Sequence, residues 1–340
     1  MSTRQRAAVL VGILISAVFL WFAFRNLHPE AVWNELQQAN VWWLLAGAAW
    51  FFVSMYFMAL RWQFLLRAVR AVALSGLWRL VAIGYMGNNV YPFRSGEALR
   101  AFLLQRNEGV PVMRGATTVV VERVFDGLVM LTFLLLGLAL SDIVSSDVQR
   151  LIAVAAPVFL TATAVFFLLA ARPNLLRALV RLTARILPGR LEELVTRLGE
   201  DIISGLEGLR SPAHLAGTVF ASYASWITHA GVYWMVAAAF GIQTTLPVML
   251  AVVGAVNLAG LVPATPGQLG VFEFFASAVM VASGVPEALA LGYAIVVHVV
   301  IWLPVTLLGF FYLVRQGLGW RAITRARELE ERAAGQPQQP

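Results

Sequence analysis

The sequence predicts an all-α integral membrane protein of about six full spans and two re-entrant helical hairpins, about eight membrane segments in all, arranged as an inverted-topology repeat. Three observations carry this. Of the 340 residues 60% are hydrophobic and only 13% charged, with a mean hydropathy of +0.77, where a soluble domain carries about 25% charged residues. Charge-free apolar runs recur along the chain, and between Ser211 and Phe272 no Asp, Glu or Arg occurs at all. Two apolar stretches are also broken by a Pro and then a Gly, at Pro92-Phe93-Arg94-Ser95-Gly96 and Pro263-Ala264-Thr265-Pro266-Gly267. Proline stops a helix and glycine permits a sharp reversal. In lipid such breaks survive only where protein or a water-filled cavity surrounds them.

The elements follow in order. Residues 7–24 form an apolar run behind Arg4 and Arg6. The run is long for a signal peptide and ends in the bulky Trp21-Phe22-Ala23-Phe24, so it reads as an uncleaved first span leaving the cytoplasm. The loop 25–40 sets Arg25 against Glu30 and Glu35 and belongs outside. Residues 41–60 return, and Arg61, Arg67, Arg70 and Arg79 follow as a cytoplasmic cluster. Residues 80–93 make only about 21 Å of helix, short of a hydrocarbon core of about 30 Å. With Arg100, Arg106 and Arg114 soon after the break, this reads as a hairpin dipping in from the cytoplasm.

A span over 115–140 then runs outward with Glu122, Arg123 and Asp126 inside it, and 151–171 comes back. Residues 172–210 hold seven arginines and two helical patterns split at Pro188-Gly189, so this segment reads as amphipathic and cytoplasmic. Residues 213–240 cross outward. The short stretches 248–262 and 271–283 flank the second break and form a second hairpin, entered from outside. Residues 288–314 cross inward to Arg315, Arg321, Arg325 and Arg327. Both termini are then cytoplasmic. The membrane domain covers 1–328, with halves at about 1–140 and 151–315, and the polar tail 329–340 reads as disordered. The alternative is that the hairpins are ordinary short spans.

Composition excludes several chemistries. All 25 basic residues are arginine, so no lysine Schiff base is available, and with no cysteine there are no disulfides or thiolate ligands. The net charge of +7 sits in loops between spans, as the positive-inside rule requires, and does not point to nucleic acid. The four histidines are scattered without metal spacing. No cofactor or metal is expected.

Charges inside lipid cost at least about 2.5–3.5 kcal/mol each, so they default to functional hypotheses. Arg94, Glu97 and Arg100 sit at the tip and return limb of the first hairpin. Arginine presents a planar fork matched to phosphate oxygens, so these residues, with Asn88 and Asn89, read as a lipid-headgroup site. The competing role for Arg94 and Arg100 is to anchor the hairpin at the interface and pair with Glu97. Glu122 and Asp126 lie four apart with Arg123 between them. Arg123 pairs with Asp126 on one face or reaches the same phosphate. Glu273 has no basic neighbour in sequence, which suits proton coupling, pairing across the repeat with Arg94 or Arg123, or a hydrogen-bonded structural role. His229 and His298 read as packed, hydrogen-bonded residues of apolar spans.

Three segments together resemble the lysylphosphatidylglycerol synthase transmembrane family, whose best-known member is the flippase domain of the multiple peptide resistance factors. They are Asn88-Asn89-Val90-Tyr91-Pro92-Phe93-Arg94-Ser95-Gly96-Glu97 with Arg100, Thr118 through Asp126, and Pro263 through Glu273. The resemblance implies a multi-pass protein of the bacterial inner membrane that moves a lipid between leaflets, without the synthase domain of the bifunctional members. The expected function is translocation of an anionic phospholipid or a phosphate-linked lipid. The alternatives are an intramembrane transferase on lipid-linked substrates, or a non-catalytic partner of lipid- or glycan-biosynthesis enzymes.

Overall fold

A computed structural model describes residues 3–25, 29–67, 69–91, 95–141, 143, 172–184, 189–205, 211–260 and 265–317, with positions 157, 161, 164 and 165. Pro92, Arg94, Pro263, nearly all of the span expected over 151–171 and the tail 329–340 lie outside the described residues.

The described chain is helical. In order it forms α1 (Thr3–Phe24), α2 (Pro29–Gln37), α3 (Val41–Leu66), α4 (Leu74–Val90), α5 (Gly96–Glu108), α6 (Val112–Ala139), α7 (Pro173–Ala184), α8 (Gly189–Gly205), α9 (Pro212–Ala239), α10 (Leu246–Ala259), a 3-10 turn (Pro266–Gln268), α11 (Val271–Ala282) and α12 (Glu287–Arg315). Local chemistry sets several ends. The Asn40 side chain accepts the Trp42 N–H and so caps α3. Gly109, in the left-handed region at φ 69°, ends α5. Pro212 and Pro247 sit in the first turns of α9 and α10, where their missing donors cost nothing.

Helices α3 and α12, of 26 and 29 residues, are long and apolar enough to cross a membrane. Helices α10 and α11, of 14 and 12 residues, are well short of the roughly 20 that a span needs. Two boundaries differ from the sequence expectation. Residues 29–37, expected as loop, form α2, which lays Val32 and Leu36 near Gly292 of α12. The span expected to end at residue 60 continues through Leu66, so Arg61 is not in a cytoplasmic loop but inside α3, 2% exposed.

Packing is dominated by three antiparallel helix pairs. On α3 and α9, Gly217 faces the Phe64 ring, Gly231 faces Trp50, and the Asn40 N–H donates to the Ala239 carbonyl at 2.8 Å. On α6 and α10, Gly137 faces the backbone of Pro247 and Ala251, while Gly254 faces that of Met130 and Leu134. On α4 and α12, Gly309 faces Ala82 and Met86. Small residues let membrane helices approach this closely. Exchanging α3 with α9, α4 with α10, α5 with α11 and α6 with α12 carries the observed packings onto one another: α6 on α10 becomes α12 on α4, and α5 on α6 becomes α11 on α12. Helix α1 lies outside this arrangement against α11, and the paired amphipathic α7 and α8 lean on α6 through α8.

A Cβ added at Gly254 would lie 2.8 Å from both the Met130 carbonyl oxygen and the Leu134 nitrogen, so backbone has to move. Gly254→Ala is therefore expected to cost about 1–3 kcal/mol. A lower unfolding temperature in detergent reads this out; an unchanged one would mean that α6 and α10 do not meet at Gly254.

Candidate functional site

The buried charges gather where α3, α5, α6 and α9 meet. Helix α6 sets Thr118, Glu122 and Asp126 four residues apart on one face, with Arg123 to the side. Helix α3 supplies Arg61 and Trp62, α5 supplies Glu97 and Arg100, and α9 supplies Trp226. Arg61 donates to Asp126 through Nη1 and lies 3.8 Å from Glu122. Arg100 donates to Glu122 at 2.9 Å. Arg123 reaches Asp126 at 3.2 Å and Glu97 at 3.6 Å. The Trp226 indole N–H donates to Asp126 at 2.7 Å, and that of Trp62 to the Thr118 hydroxyl at 2.9 Å. The Arg100 guanidinium also lies over the Trp62 ring, 4.0 Å from its centre.

Three arginines and three carboxylates cancel within this network. Its two sides differ in access. The side chains of Arg61, Arg100 and Glu122 are 5% exposed or less, whereas Arg123 and Glu97 are 32% and 26% exposed. Guanidinium capacity is left over: Arg61 Nε, Arg100 Nε and Arg100 Nη2 have no hydrogen-bond partner among the described residues. The open edge thus presents Arg123, and the closed side presents spare guanidinium N–H groups.

The turn before α11 and the end of α4 come together beside α12. The 3-10 turn Pro266–Gln268 packs on α4, and the Asn89 amide donates to the Thr306 hydroxyl of α12 at 2.9 Å. Gly267 holds φ at 74°, which suits glycine, and a Cβ there would sit 2.9 Å from the Trp302 indole nitrogen. Ser16 of α1 bonds both the Thr265 hydroxyl and its N–H at 3.0 Å, tying the first helix to this turn.

Glu273 begins α11. Its carboxylate accepts the Gly270 N–H at 2.6 Å and lies 2.5 Å from His298 Nδ1. His298 in turn stacks on Phe272 at 4.3 Å. His229 is buried among Phe51, Trp226 and Tyr233.

Several sequence expectations are refined by this geometry. Arg123 and Asp126 do pair. Arg100 does not pair with Glu97 but with Glu122 on the next helix, leaving Glu97 to Arg123. The described partners of Glu273 are Gly270 and His298 in its own half rather than a charge across the repeat. Gly96 has no positive φ, and its role is close approach: a Cβ there would lie 1.9 Å from the Gly84 carbonyl. Sequence reasoning misses Arg61 and the two tryptophans. The signal was available, because Phe64-Leu65-Leu66 carries the apolar pattern of α3 past Arg61. Among the described residues no three His, Cys, Asp or Glu side chains converge as a metal site.

The profile of the lysylphosphatidylglycerol synthase TM region matches residues 9–309, most of the chain. The chain belongs to this family. Similar proteins match over most of its length. It is 27% identical over 329 residues to a protein of Haloferax volcanii named glycosyltransferase AglD, covering 87% of this chain but 52% of that one. It is 27% identical to a UPF0104 membrane protein of Methanothermobacter thermautotrophicus, covering 88% and 90% of the two chains. It is 22% identical to the UPF0104 membrane protein PH1989 of Pyrococcus horikoshii, covering 93% and 98%. The chain thus spans about half the length of AglD and nearly all of the UPF0104 proteins. Family and apolar helices together make this a multi-pass membrane protein.

Proposed function

We propose that the chain carries a phosphate-bearing lipid, an anionic phospholipid or a phosphate-linked lipid, across the bacterial inner membrane by alternating access. The observation that carries the reading is the buried arginine–carboxylate network between α3, α5, α6 and α9, together with the turn before α11 packed on α4. Broken helices facing each other near the middle of two repeats are how secondary transporters build substrate sites. The exchange symmetry of the packing supports an inverted repeat: α3 and α9 are equivalents under it, and they run antiparallel. The shortness of α10 and α11 supports a hairpin that dips and returns. Both termini are then cytoplasmic, and the chain works beside enzymes that make or use the lipid.

In this reading Arg123 meets the headgroup phosphate at the open edge, and Arg94, Arg100, Asn88 and Asn89 are the further candidates to bind it. The six described charges of the network are balanced among themselves. The AglD name favours one second reading, an intramembrane transferase on a lipid-linked sugar. That chemistry needs a free general base. Glu122 and Asp126 are both bound by arginine, which argues for transport.

Reconstitution into liposomes with fluorescent lipids of several headgroups, quenched from inside and outside, tests the proposal. Charge-assisted hydrogen bonds are worth about 1.5–3 kcal/mol, so Arg94→Ala and Arg100→Ala are each expected to slow transport of phosphate lipids about tenfold or more while the protein still inserts. Full transport by both variants would remove the first hairpin as the headgroup site.

A further inference from the structure

We infer that α7 is a docking surface for anionic bilayer lipid, with its exposed leucines among the acyl chains and its arginines on lipid phosphates. The helix carries two apolar faces. Leu176, Val180 and Ala184, spaced four apart, turn toward protein: Leu176 packs on the cluster of Leu65, Val121 and Phe125, Val180 meets Gly199 of α8, and Ala184 is buried. Leu175, Leu179 and Leu182 repeat at helical spacing on another side and are 43%, 40% and 58% exposed. A single exposed leucine needs no explanation, but a row of three on one side of a helix marks a surface that something covers.

Charge selects the occupant. Between Asp147 and Glu192 the sequence has no acidic residue, while Arg172, Arg177, Arg181 and Arg185 fall in or beside α7. Arg172 and Arg181 are exposed, and Arg177 lies 3.4 Å from Glu200 of α8. Arg177 and Arg181 stand one turn apart, on a side of the helix away from the leucine row. That is the division an interfacial helix needs: leucines enter the acyl boundary while arginines stay at the level of the phosphates. Helix α8 differs. It packs on α6 and exposes Glu192, Glu193 and Glu200, so the acidic side of the pair belongs to it and the basic side to α7.

The neighbouring helices put lipid at the same level. Leu176 shares its cluster with Val121 of α6, and Leu215 and Val219 of α9 pack on that cluster too. The residues beside these in the chain, Val120 and Phe220, are apolar and 56% and 62% exposed. In a multi-pass protein such surface on helices of 28 residues faces acyl chains. Lipid therefore reaches the height of Leu176, where the leucine row of α7 meets it. A second copy of the chain would cover the leucines as well, but would bring one basic helix against another, which like charge opposes. The surface also lies against the charge network: Leu65 is one turn beyond Arg61 on α3, and Phe125 adjoins Asp126. Anionic lipid held here braces the helices that carry the network.

Fluorescence of the full chain in nanodiscs tests this and needs no transport. The sequence has no cysteine, so a bimane label at Leu179→Cys reports on the leucine row, and one at Asn174→Cys, also an exposed position, reports on the polar side. The discs hold phosphatidylcholine mixed with phosphatidylglycerol, and one lipid or the other is brominated. The label at 179 is expected to be quenched by brominated lipid and little by acrylamide in the water, and the label at 174 the reverse. Mole for mole, brominated phosphatidylglycerol should quench at 179 about fivefold more than brominated phosphatidylcholine. Arg172→Gln with Arg181→Gln changes only exposed side chains and should bring the two lipids close to parity, as should molar salt. Free access of acrylamide to 179, equal quenching by the two lipids, or an unchanged preference in the double variant would each overturn the inference. A label at 179 shielded from lipid and acrylamide alike would put protein on the face and overturn it too. Failure of lipid transport in liposomes leaves all these readings intact, so the surface and the proposed transport fall separately.

Discussion

Asp126→Ala is expected to destabilise the protein by about 3–5 kcal/mol, the cost of leaving buried charge unpaired. Asp126 is 7% exposed and accepts from Arg61 and Trp226 on one carboxylate oxygen, with Arg123 ion-paired at 3.2 Å to the other. Without it Arg61 keeps only Glu122 at 3.8 Å, which Arg100 already occupies at 2.9 Å. The Trp226 N–H is left without its acceptor as well. Asp126→Asn keeps an acceptor but removes the charge, so its loss should fall between parent and Asp126→Ala. The decisive variant is the pair Arg61→Met with Asp126→Leu. It removes one charge of each sign, leaves Arg100 with Glu122 and Arg123 with Glu97, and should lose less stability than Asp126→Ala alone. Unfolding temperatures in detergent compare them. A double variant at least as unstable as the two single losses added together would show that Arg61 and Asp126 are not an energetic unit.

How far the sequence reveals this arrangement depends on the range of the interactions. Apolar run length is local, so α3, α9 and α12 are legible, as is the amphipathic pair α7 and α8. Pairing is not local. Arg61 and Asp126 are 65 residues apart, Glu273 and His298 25, and Asn89 and Thr306 217. Hydropathy places Arg61 at the end of an apolar run, where an arginine usually marks the membrane surface; only its partner on α6 explains its burial. Helix α2 is missed because its sequence, with Glu30 and Glu35, resembles an exposed loop until Val32 and Leu36 find α12. The glycines divide in the same way. Gly267 holds φ at 74° and is a turn residue, as the sequence reading supposes. Gly96 is a packing residue, and nothing short of the fold reveals it.

Gly96→Ala is the substitution expected to do most damage to the first hairpin. A single methyl is added, yet its ideal position lies 1.9 Å from the Gly84 carbonyl oxygen, 2.6 Å from the Asn88 nitrogen and 2.7 Å from Asn88 Oδ1. Two of these are backbone atoms of α4, so no rotamer change relieves the clash, and the limbs α4 and α5 have to separate. On the facing side a Cβ at Gly87 would meet the Gly96 Cα at 2.5 Å, so the crossing is backbone against backbone. Separation moves the whole return limb, and with it Glu97 and Arg100, away from Arg123 and Glu122. Overpacking that backbone must absorb costs upward of about 3 kcal/mol, and here the loss of the Arg100–Glu122 pair adds to it. Gly127→Ala is the matched control, since it lies in α6 with nothing within 4 Å of its added Cβ, and alanine is the better helix former by about 1 kcal/mol. The expected outcome is a stable Gly127→Ala and a Gly96→Ala that unfolds at much lower temperature or fails to accumulate. Equal stability of the two would mean that α4 and α5 do not cross at Gly96, and the hairpin geometry that brings the arginines together would be wrong.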